Sequence, residues 1–227
     1  MREVVVIAEG QTEEQFIKRL VAPVLNPLRV YVKPWVLETS PGHKGGAVTF
    51  GRLKRYARNT LLHNPQVVVS TFIDLYALDS SFPAFKEAGG KSDLYGKLEC
   101  LETALQETII TEAQCQPCRF IPHIQPHEYE GLLFSDTKVL AQTEQEWVKL
   151  EKKLTDIRHA FETPEHINQG YATAPSRRLK KLLVKTAYQK VSHGLRAAER
   201  IGLVAMEREC PHFHRWMDRL RALAKPE

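Results

Sequence analysis

The sequence predicts an α/β fold with a mostly parallel sheet flanked by helices, followed by a helical, basic C-terminal part. Residues 3–8 and 67–74 are short apolar runs, typical of parallel strands that are buried on both faces. Segments with helical spacing follow these runs, and alternating strands and helices indicate an α/β core. No strand pattern is found beyond about residue 135. We therefore predict a core over residues 1–135 and a helical part over residues 136–227 that packs on it.

Each element of the predicted core has its own local signal. Thr12 is expected to cap a helix that follows the first strand. Residues 30–37 predict a second strand, and Pro34 favours an edge position or a bulge because proline cannot donate to a sheet ladder. The remaining predictions for the core are a helix over residues 49–62, a loop over residues 75–91, a helix capped by Ser92, and a short strand over residues 120–124.

The C-terminal part is predicted to be helical and basic. Helices are expected over residues 148–157, 178–188, 195–203 and 213–223, with a loop over residues 162–175. Residues 175–225 contain thirteen Lys or Arg and four acids, a net charge of +9, whereas residues 1–174 have a net charge of −3. This division suits an acidic metal-binding part joined to a basic surface that lies along phosphates. The alternative is an ordinary solvated helical face.

Composition argues against several classes of protein. The four cysteines are too few and too unevenly spread for a secreted disulfide framework, which indicates a reducing cytoplasm. Cys115 and Cys118 form a CxxC pair, but no second pair completes a zinc site. No apolar run approaches the roughly 20 residues that span a bilayer, and the N-terminus has no signal-peptide pattern. We therefore expect a soluble, cytoplasmic protein without a membrane partner.

Acidic residues end the two buried strands. Glu9 follows the first run and Asp74 ends the second, and the carboxyl ends of parallel strands meet at one edge, where ligands bind. Glu13 lies four residues after Glu9, about one helical turn, so it can face the same cavity. Carboxylate ligands suit Mg²⁺ or Mn²⁺, which can polarise a phosphoryl oxygen and activate water. The alternative is that Glu13 supports its helix and Asp74 caps a loop.

A second polar cluster follows the predicted strand over residues 120–124. His127, Glu128 and Glu130 could supply metal ligands or a general base, although two acids two residues apart cannot both face one side of a regular helix. The alternative is that His127 and Glu128 begin a helix whose following apolar residues enter the core.

Motifs spread over nearly the whole chain resemble a single family. They are Glu9-Gly10-x-Thr12-Glu13, Asp74-x-Tyr76, Gln125-x-His127-Glu128-Tyr129-Glu130, Ile167-Asn168, Pro175-Ser176-Arg177-Arg178-Leu179, Tyr188-x-Lys190, and Cys210-Pro211-x-Phe213 with Trp216. This combination resembles the domain-of-unknown-function family 4276, which is similar to a branch of the TOPRIM superfamily of topoisomerases, primases and overcoming-lysogenization-defect (OLD) nucleases. The resemblance implies a TOPRIM-like α/β core that performs phosphoryl transfer on nucleic acid, with DNA favoured over RNA.

The resemblance also implies roles for particular acids. In the OLD-like pattern, a Glu after the first strand, a Glu four residues later and an Asp-x-Asp pair bind divalent metal. Glu9, Glu13 and Asp74 match this pattern, but Tyr76 stands where the second Asp would be. Either a replacement ligand is present or the second metal is lost. The replacement candidates are Asp79, His127, Glu128 and Glu130, and the catalytic candidates are Glu9, Glu13, Asp74, Glu128 and Arg177.

The C-terminal part supplies the candidates for nucleic-acid contact. OLD-like nucleases use a basic residue beyond their acidic core, and Arg177 matches it in motif order. The full set of candidates is Arg177, Arg178, Lys180, Lys181, Lys185 and Lys190. The alternative is a helix that starts at Pro175 and is capped by Ser176, with its cations in solvent.

The resemblance implies an ATPase partner of the ABC or structural-maintenance type, because genes of the family often lie beside such ATPases, frequently in anti-phage loci. The glycine-rich residues 42–46 lack the spacing of a nucleotide-binding loop, so ATP hydrolysis would have to come from the partner. We therefore expect a divalent-metal-dependent nuclease or nicking subunit. The alternatives are a catalytically degenerate adaptor that binds an ATPase or nucleic acid, and a primase-like nucleotidyl transferase. A homo-oligomer is compatible with each of these.

Overall fold

The computed structural model describes residues 1–40, 43–44, 49–168 and 170–224. The chain forms two compact units: Met1–Gln125 with Trp216–Glu227, and Pro126–Arg215. The domain boundary predicted after residue 135 stays a prediction. The glycine-rich residues 42–46 lie outside the described residues, apart from His43 and Lys44.

The first unit is built on a parallel sheet. Its strands are β1 (Arg2–Ala8), β2 (Val30–Val36), β3 (Glu38–Ser40), β4 (His43–Lys44), β5 (Val68–Asp74), β6 (Phe120–Ile121) and β7 (Ile124–Gln125). Five of them form one sheet in the order β2-β1-β5-β6, with β7 also paired to β5, and every pairing in it is parallel. The strands β3 and β4 form a separate antiparallel pair. The predicted α/β class with a mostly parallel sheet is therefore confirmed.

Helices cover both faces of this sheet. They are α1 (Gln11–Phe16), α2 (Ala22–Leu25), α3 (Phe50–His63), α4 (Phe85–Gly89) and α5 (Leu94–Ala113), with a π-helical segment over Ile17–Val21 and 3-10 turns at Asn26–Leu28, Leu75–Ala77 and Pro117–Arg119. Leu53 of α3 and Leu98 of α5 belong to the same buried cluster as Ile7 and Ile73 of the sheet. On the other face, the Phe16 ring of α1 lies 5.6 Å from the Phe72 ring.

Strand position explains the contrast between β5 and β2. All seven residues of β5 are buried, because β5 lies between β1 and the short strands β6 and β7 and is covered on both faces. In contrast, β2 is an edge strand in which exposed and buried residues alternate. Pro34 lies within β2, so the predicted edge position for this proline is confirmed.

Four local predictions for the core were wrong. The first helix begins at Gln11 after Gly10, and no side chain caps it, so Thr12 is a buried residue of the first turn. The cap of α5 is Asp93 rather than Ser92, because the Asp93 carboxylate accepts from the Gly96 N–H. The predicted loop over residues 75–91 contains α4. The predicted strand over residues 120–124 is two short strands on either side of Pro122 and His123, because Pro122 has no N–H for a ladder.

The described residues after Gln125 contain helices and no strand. The helices are α6 (Thr137–Ala141), α7 (Glu151–His159), α8 (Pro175–Leu182), α9 (Leu195–Glu209) and α10 (Pro211–Arg221), with 3-10 helices at Tyr129–Ser135, Gln145–Leu150, Pro164–His166 and Tyr171–Thr173 and a π-helical segment at Lys190–Gly194. The helix predicted over residues 178–188 is wrong in extent, since α8 ends at Leu182. Helix α9 kinks at Gly202, whose φ of 76° favours glycine.

Among the described residues, no helix combines the length and the apolar character needed to cross a membrane.

Candidate functional site

The carboxyl ends of β1 and β5 bring two acids together. Glu9 directly follows β1, and Asp74 is the last residue of the neighbouring strand β5. The backbone N–H of Asp74 donates a hydrogen bond to Glu9 Oε2 at 3.4 Å. The two residues therefore meet at one sheet edge, as parallel strand order requires. Their role as metal ligands stays a prediction.

Helix α1 places Glu13 at the same end of the sheet. Side chains two residues apart on a strand share a face, so Asp74 lies on the face of Phe72. Phe16 packs on Phe72, and Glu13 precedes Phe16 by three residues, so it lies on the same side of α1. Glu13 and Asp74 are only 2% and 3% exposed. A carboxylate buried this deeply is stable only where donors or a cation offset its lost hydration.

Gly10 allows the close approach of Glu13 to the turn after β1. A Cβ atom at position 10 would lie 3.2 Å from Glu13 Oε2, tighter than an ordinary van der Waals contact. A side chain at this position would push the Glu13 carboxylate away from the strand end. The Glu9-Gly10-x-x-Glu13 spacing therefore serves to pack an acid against backbone.

The three acids are not close enough to hold a metal ion directly in this conformation. Some groups of three or more described His, Cys, Asp or Glu residues have ligand atoms that all lie within 4.8 Å of one another, and Glu9, Glu13 and Asp74 belong to none of these groups. Oxygen ligands of Mg²⁺ lie about 2.1 Å from the ion, so opposite ligands are about 4.2 Å apart. A shared cation therefore requires side-chain rotations or bridging water, which Mg²⁺ commonly retains.

Sequence reasoning missed Gln125 as a site residue. Gln125 ends β7 directly opposite Asp74 in the parallel register, and its side chain is fully buried. Its Oε1 lies 3.2 Å from His123 Nε2, while its Nε2 has no hydrogen-bond partner among the described residues. A buried amide donor beside Asp74 is suited to a phosphoryl oxygen or a metal-bound water. The sequence feature that could have identified Gln125 is its position as the first residue of the Gln-x-His-Glu motif.

His123 packs against two aromatic rings. Its ring centroid lies 5.3 Å from that of Phe72 and 4.9 Å from that of Trp216, and the Phe72 and Trp216 centroids are 5.2 Å apart, so the three rings form a triangular cluster. Thr71 Oγ1 donates to the His123 carbonyl and accepts from its N–H. Two side chains and two backbone bonds thus fix the ring that orients Gln125.

The residues that follow Asp74 differ from the expected acidic pair. Tyr76 is 42% exposed, and a phenol is a poor substitute for a carboxylate ligand. Asp79 Oδ1 accepts from both the backbone N–H and the hydroxyl of Ser81, so this carboxylate stabilises its own turn. The role of Asp79 as a replacement ligand stays a prediction, and its Oδ1 would have to exchange the Ser81 hydrogen bonds for a metal ion.

Glu128 binds the start of α8. Its Oε2 accepts from the Ser176 N–H and its Oε1 from the Ser176 hydroxyl, both at 2.9 Å. Helix α8 begins at Pro175, as the alternative interpretation expected, but no neighbouring side chain caps it, so the cap by Ser176 in that alternative was wrong. Glu128 instead supplies the cap from a distant segment, which is a structural role for a residue predicted to be catalytic.

Glu130 lies in a closed polar cluster. It is fully buried, and its Oε1 accepts from the Tyr188 hydroxyl at 3.4 Å. Lys190 Nζ lies 3.6 Å from Glu130 Oε2. Burial and the Glu130 charge raise the pKa of Tyr188 well above its usual value, so the phenol keeps its proton and can donate. The metal role expected for Glu130 and the phosphate contact expected for Lys190 stay predictions.

His127 adopts a left-handed backbone conformation with φ of 55°, and its Nδ1 lies 3.2 Å from Asn168 Nδ2. The 3-10 helix over Tyr129–Ser135 begins just beyond it and is buried throughout. A helix therefore starts just after this cluster, as the alternative interpretation expected, although it is of the 3-10 type and begins at Tyr129.

A further buried acid, Glu165, was not singled out from the sequence. It is fully buried, and its two carboxylate oxygens accept from the N–H groups of His212 and Phe213 at 3.0 and 2.9 Å. Glu165 therefore caps α10 in the same way that Glu128 caps α8. Two long-range acidic caps thus organise Pro126–Arg215.

Comparison with known proteins gives the family. The family described as a domain of unknown function (DUF4276) matches residues 8–221. The chain belongs to this DUF4276 family. No curated protein and no solved structure matches it. Membership covers both the acidic strand ends and the basic C-terminal part of the chain.

The basic residues of this DUF4276 protein are not equivalent. Those exposed to solvent are Arg177, Lys180, Lys181 and Lys185. Arg178 instead donates to the Thr173 carbonyl at 2.7 Å and lies 5.2 Å from the Phe161 ring centre, and partial burial lowers its pKa. Lys190 is paired with Glu130. Phosphate contact by any of these residues stays a prediction, and Arg178 and Lys190 also make the internal contacts described above.

Proposed function

We propose that this DUF4276 protein is a divalent-metal-dependent nuclease or nicking subunit that acts on nucleic acid. One observation carries the proposal: the nearly fully buried carboxylates of Glu13 and Asp74 lie at the carboxyl end of a parallel sheet, beside Glu9. Buried acids at this edge are suited to a ligand of opposite charge.

The donor set fits Mg²⁺ or Mn²⁺. Glu9, Glu13 and Asp74 would hold the ion, because hard divalent cations prefer carboxylate oxygen and water. When bound, such an ion polarises a phosphoryl oxygen and lowers the pKa of water. Gln125 would orient a phosphoryl oxygen through its buried Nε2. Glu128 is less suited to chemistry than to its contact with Ser176.

A relationship to the TOPRIM superfamily and its OLD nucleases is part of this proposal. It is supported by a Glu after β1, a second Glu four residues later, and an Asp at the end of β5 in a parallel sheet. The exposed cations of the second unit would contact phosphates, with DNA favoured over RNA. A partner ATPase and a role in anti-phage defence are proposed from the family resemblance alone.

A catalytically degenerate adaptor is the second candidate, and Tyr76 is the observation that favours it. Tyr76 stands two residues after Asp74, where a second Asp would be expected, and its side chain is 42% exposed. An exposed aromatic side chain at a candidate site edge is suited to a protein or nucleic-acid contact. The adaptor would keep the fold and bind its partner without cleaving nucleic acid.

Metal binding followed by cleavage distinguishes the two candidates. Calorimetric titration with Mn²⁺ should give binding to the wild type that is weakened at least tenfold in Asp74→Asn. Purified wild type should nick supercoiled plasmid with Mn²⁺ or Mg²⁺ but not with EDTA, and Asp74→Asn should not. Metal binding without nicking, in the presence and absence of an added ATPase partner, would support the adaptor. No metal binding would refute the metal site.

A further inference from the structure

A small pocket lies beside the edge strand of the first unit. Its volume is about 270 Å³, and the residues that line it include Trp35 of β2 and Arg52, Arg55, Tyr56 and Asn59 of α3. This volume is near the lower end of the roughly 300–1,000 Å³ typical of ligand clefts. It suits a single planar group rather than a large cofactor.

The pocket contains a stacked aromatic pair. The Trp35 and Tyr56 rings have centroids 5.0 Å apart and planes inclined by 16°. Tyr56 therefore supports one face of the indole, while 50% of the Trp35 surface remains exposed. An exposed indole held flat by a second ring is a preformed platform, and a third planar group can extend the stack.

Two arginines accompany the aromatic platform. Helix α3 carries four Lys or Arg residues, and two of them contact Glu112 of α5. Lys54 Nζ is 2.9 Å from Glu112 Oε1, and Arg58 donates to the Glu112 carbonyl. The other two, Arg52 and Arg55, line the pocket and are exposed. The pocket therefore combines a π-face with fixed positive charge, the pair of features that binds a base and its phosphate.

We propose that this pocket binds one nucleotide of a single-stranded nucleic acid, with the base stacked on Trp35 and the adjoining phosphates paired with Arg52 and Arg55. This inference rests on the proposed function, since it names the substrate class as single-stranded. Stacking uses the face that every base possesses, so the pocket would bind with little sequence preference.

The strand register connects the pocket to the acidic site. Trp35 lies opposite Ile7 in the pairing of β2 with β1, and Glu9 follows Ile7 by two residues. With about 3.3 Å per residue along a strand and about 4.8 Å between strands, the Cα atoms of Trp35 and Glu9 are roughly 8 Å apart. A strand whose base occupies the pocket therefore passes close to Glu9, whereas Asp74 lies on the opposite face of the sheet, with Phe72.

Intrinsic fluorescence gives a direct test. The chain has three tryptophans, and Trp147 and Trp216 are only 0% and 2% exposed. A base that stacks on an indole quenches its emission, so quenching reports on Trp35. A short single-stranded oligonucleotide should quench the wild type in low salt with EDTA, so that no metal or cleavage is involved. Quenching should be absent in Trp35→Phe.

Affinity measured by anisotropy of a labelled oligonucleotide complements the quenching. Trp35→Phe should retain binding because the phenyl ring still stacks, whereas Trp35→Ala should weaken it about five- to hundredfold. Arg52→Ala and Arg55→Ala should each lower the salt slope by about 0.7. The matched controls are Tyr31→Ala, an exposed aromatic on the same strand, and Lys54→Ala on the same helix. Both controls should leave affinity unchanged.

The outcomes separate this inference from the proposed nuclease. Quenching without plasmid nicking would support the pocket and count against the nuclease. Plasmid nicking, together with unchanged oligonucleotide affinity in Trp35→Ala, would support the nuclease and overturn the pocket. Adenosine monophosphate that binds as tightly as the oligonucleotide would overturn the strand assignment in favour of a free nucleotide. Equal binding of duplex and single strand, or equal losses in the controls, would also overturn it.

Discussion

Glu128 accepts two hydrogen bonds from Ser176, one from the backbone N–H and one from the hydroxyl, both at 2.9 Å. The two residues are 48 positions apart in the chain, so this contact fixes the start of α8 against the segment that precedes the 3-10 helix at Tyr129–Ser135. An acid that was predicted to be catalytic therefore also has a structural contact, and its catalytic role stays a prediction.

The first prediction tests this capping role. Glu128→Ala should lower the free energy of unfolding by about 1–3 kcal/mol, because a charged acceptor at a helix start is lost. Ser176→Ala should be coupled to it by about 0.5–1.5 kcal/mol in a double-mutant cycle measured by urea denaturation. Glu162→Ala, which removes an exposed acid of the same unit, is the control and should stay within about 0.5 kcal/mol. Zero coupling, together with lost nicking activity, would restore the catalytic interpretation.

The second prediction concerns the acidic strand ends. Saturation with Mn²⁺ at about 100 times the Kd should stabilise the wild type by about 2.7 kcal/mol, which corresponds to roughly 5–10 °C in Tm for a chain of this size. Asp74→Asn and Glu13→Gln should lose this shift and be as stable as the wild type or more so in EDTA, because repulsion among the acids is relieved.

Glu14→Gln is the matched control for the metal-dependent shift. Glu14 adjoins Glu13 but pairs with Lys18 at 2.7 Å on the helix surface, so it should keep the full response to Mn²⁺. The metal site would be refuted if the wild type showed no Mn²⁺ response while the Asn and Gln variants were less stable in EDTA.

The third prediction concerns alkaline pH. The pKa of Tyr188 is raised in the folded protein by burial and by Glu130, whereas in the unfolded chain it titrates near 10. The unfolded state therefore releases a proton first, and the free energy of unfolding falls as pH rises above about 10, by up to about 1.4 kcal/mol per pH unit. Stability well below about pH 10 is unaffected by this titration.

Tyr188→Phe isolates that titration. The variant lacks the phenol, so its free energy of unfolding should fall less steeply than that of the wild type between about pH 10 and 11. Both proteins share every other titrating group, including Cys210, whose pKa burial also raises. Denaturant titrations at each pH give the comparison, and identical slopes would contradict the buried Tyr188–Glu130 contact.

The fourth prediction concerns the basic surface of the second unit. Replacement of Arg177, Lys180 and Lys181 by alanine together should flatten the dependence of log affinity on log salt by about two to three units, because each lost phosphate contact removes about 0.9. Arg178→Ala should instead reduce stability, since its guanidinium packs on Phe161. A triple replacement of Lys149, Lys152 and Lys153 controls for net charge, and an equal effect there would mean nonspecific attraction.

The sequence by itself determined the parallel sheet and the position of the acids at its edge. The continuous apolar runs of β1 and β5 and the proline in β2 are local signals, and each translates directly into burial or edge position. The positions of Glu9 and Asp74 follow from the same apolar runs, because the end of each run marks the carboxyl end of a strand. The two strands are neighbours, so their two acids meet.

Only the tertiary structure decided which polar residues of the C-terminal part form hydrogen bonds with distant parts of the chain. Glu128, Glu130 and Glu165 find their partners 48, 58 and 47 positions away, and no local spacing encodes such contacts. The stack of Trp35 on Tyr56 and the place of Gln125 opposite Asp74 also depend on strand register and helix packing. The physical reason is that burial and long-range hydrogen bonding, rather than local propensity, fix the environment of a polar side chain.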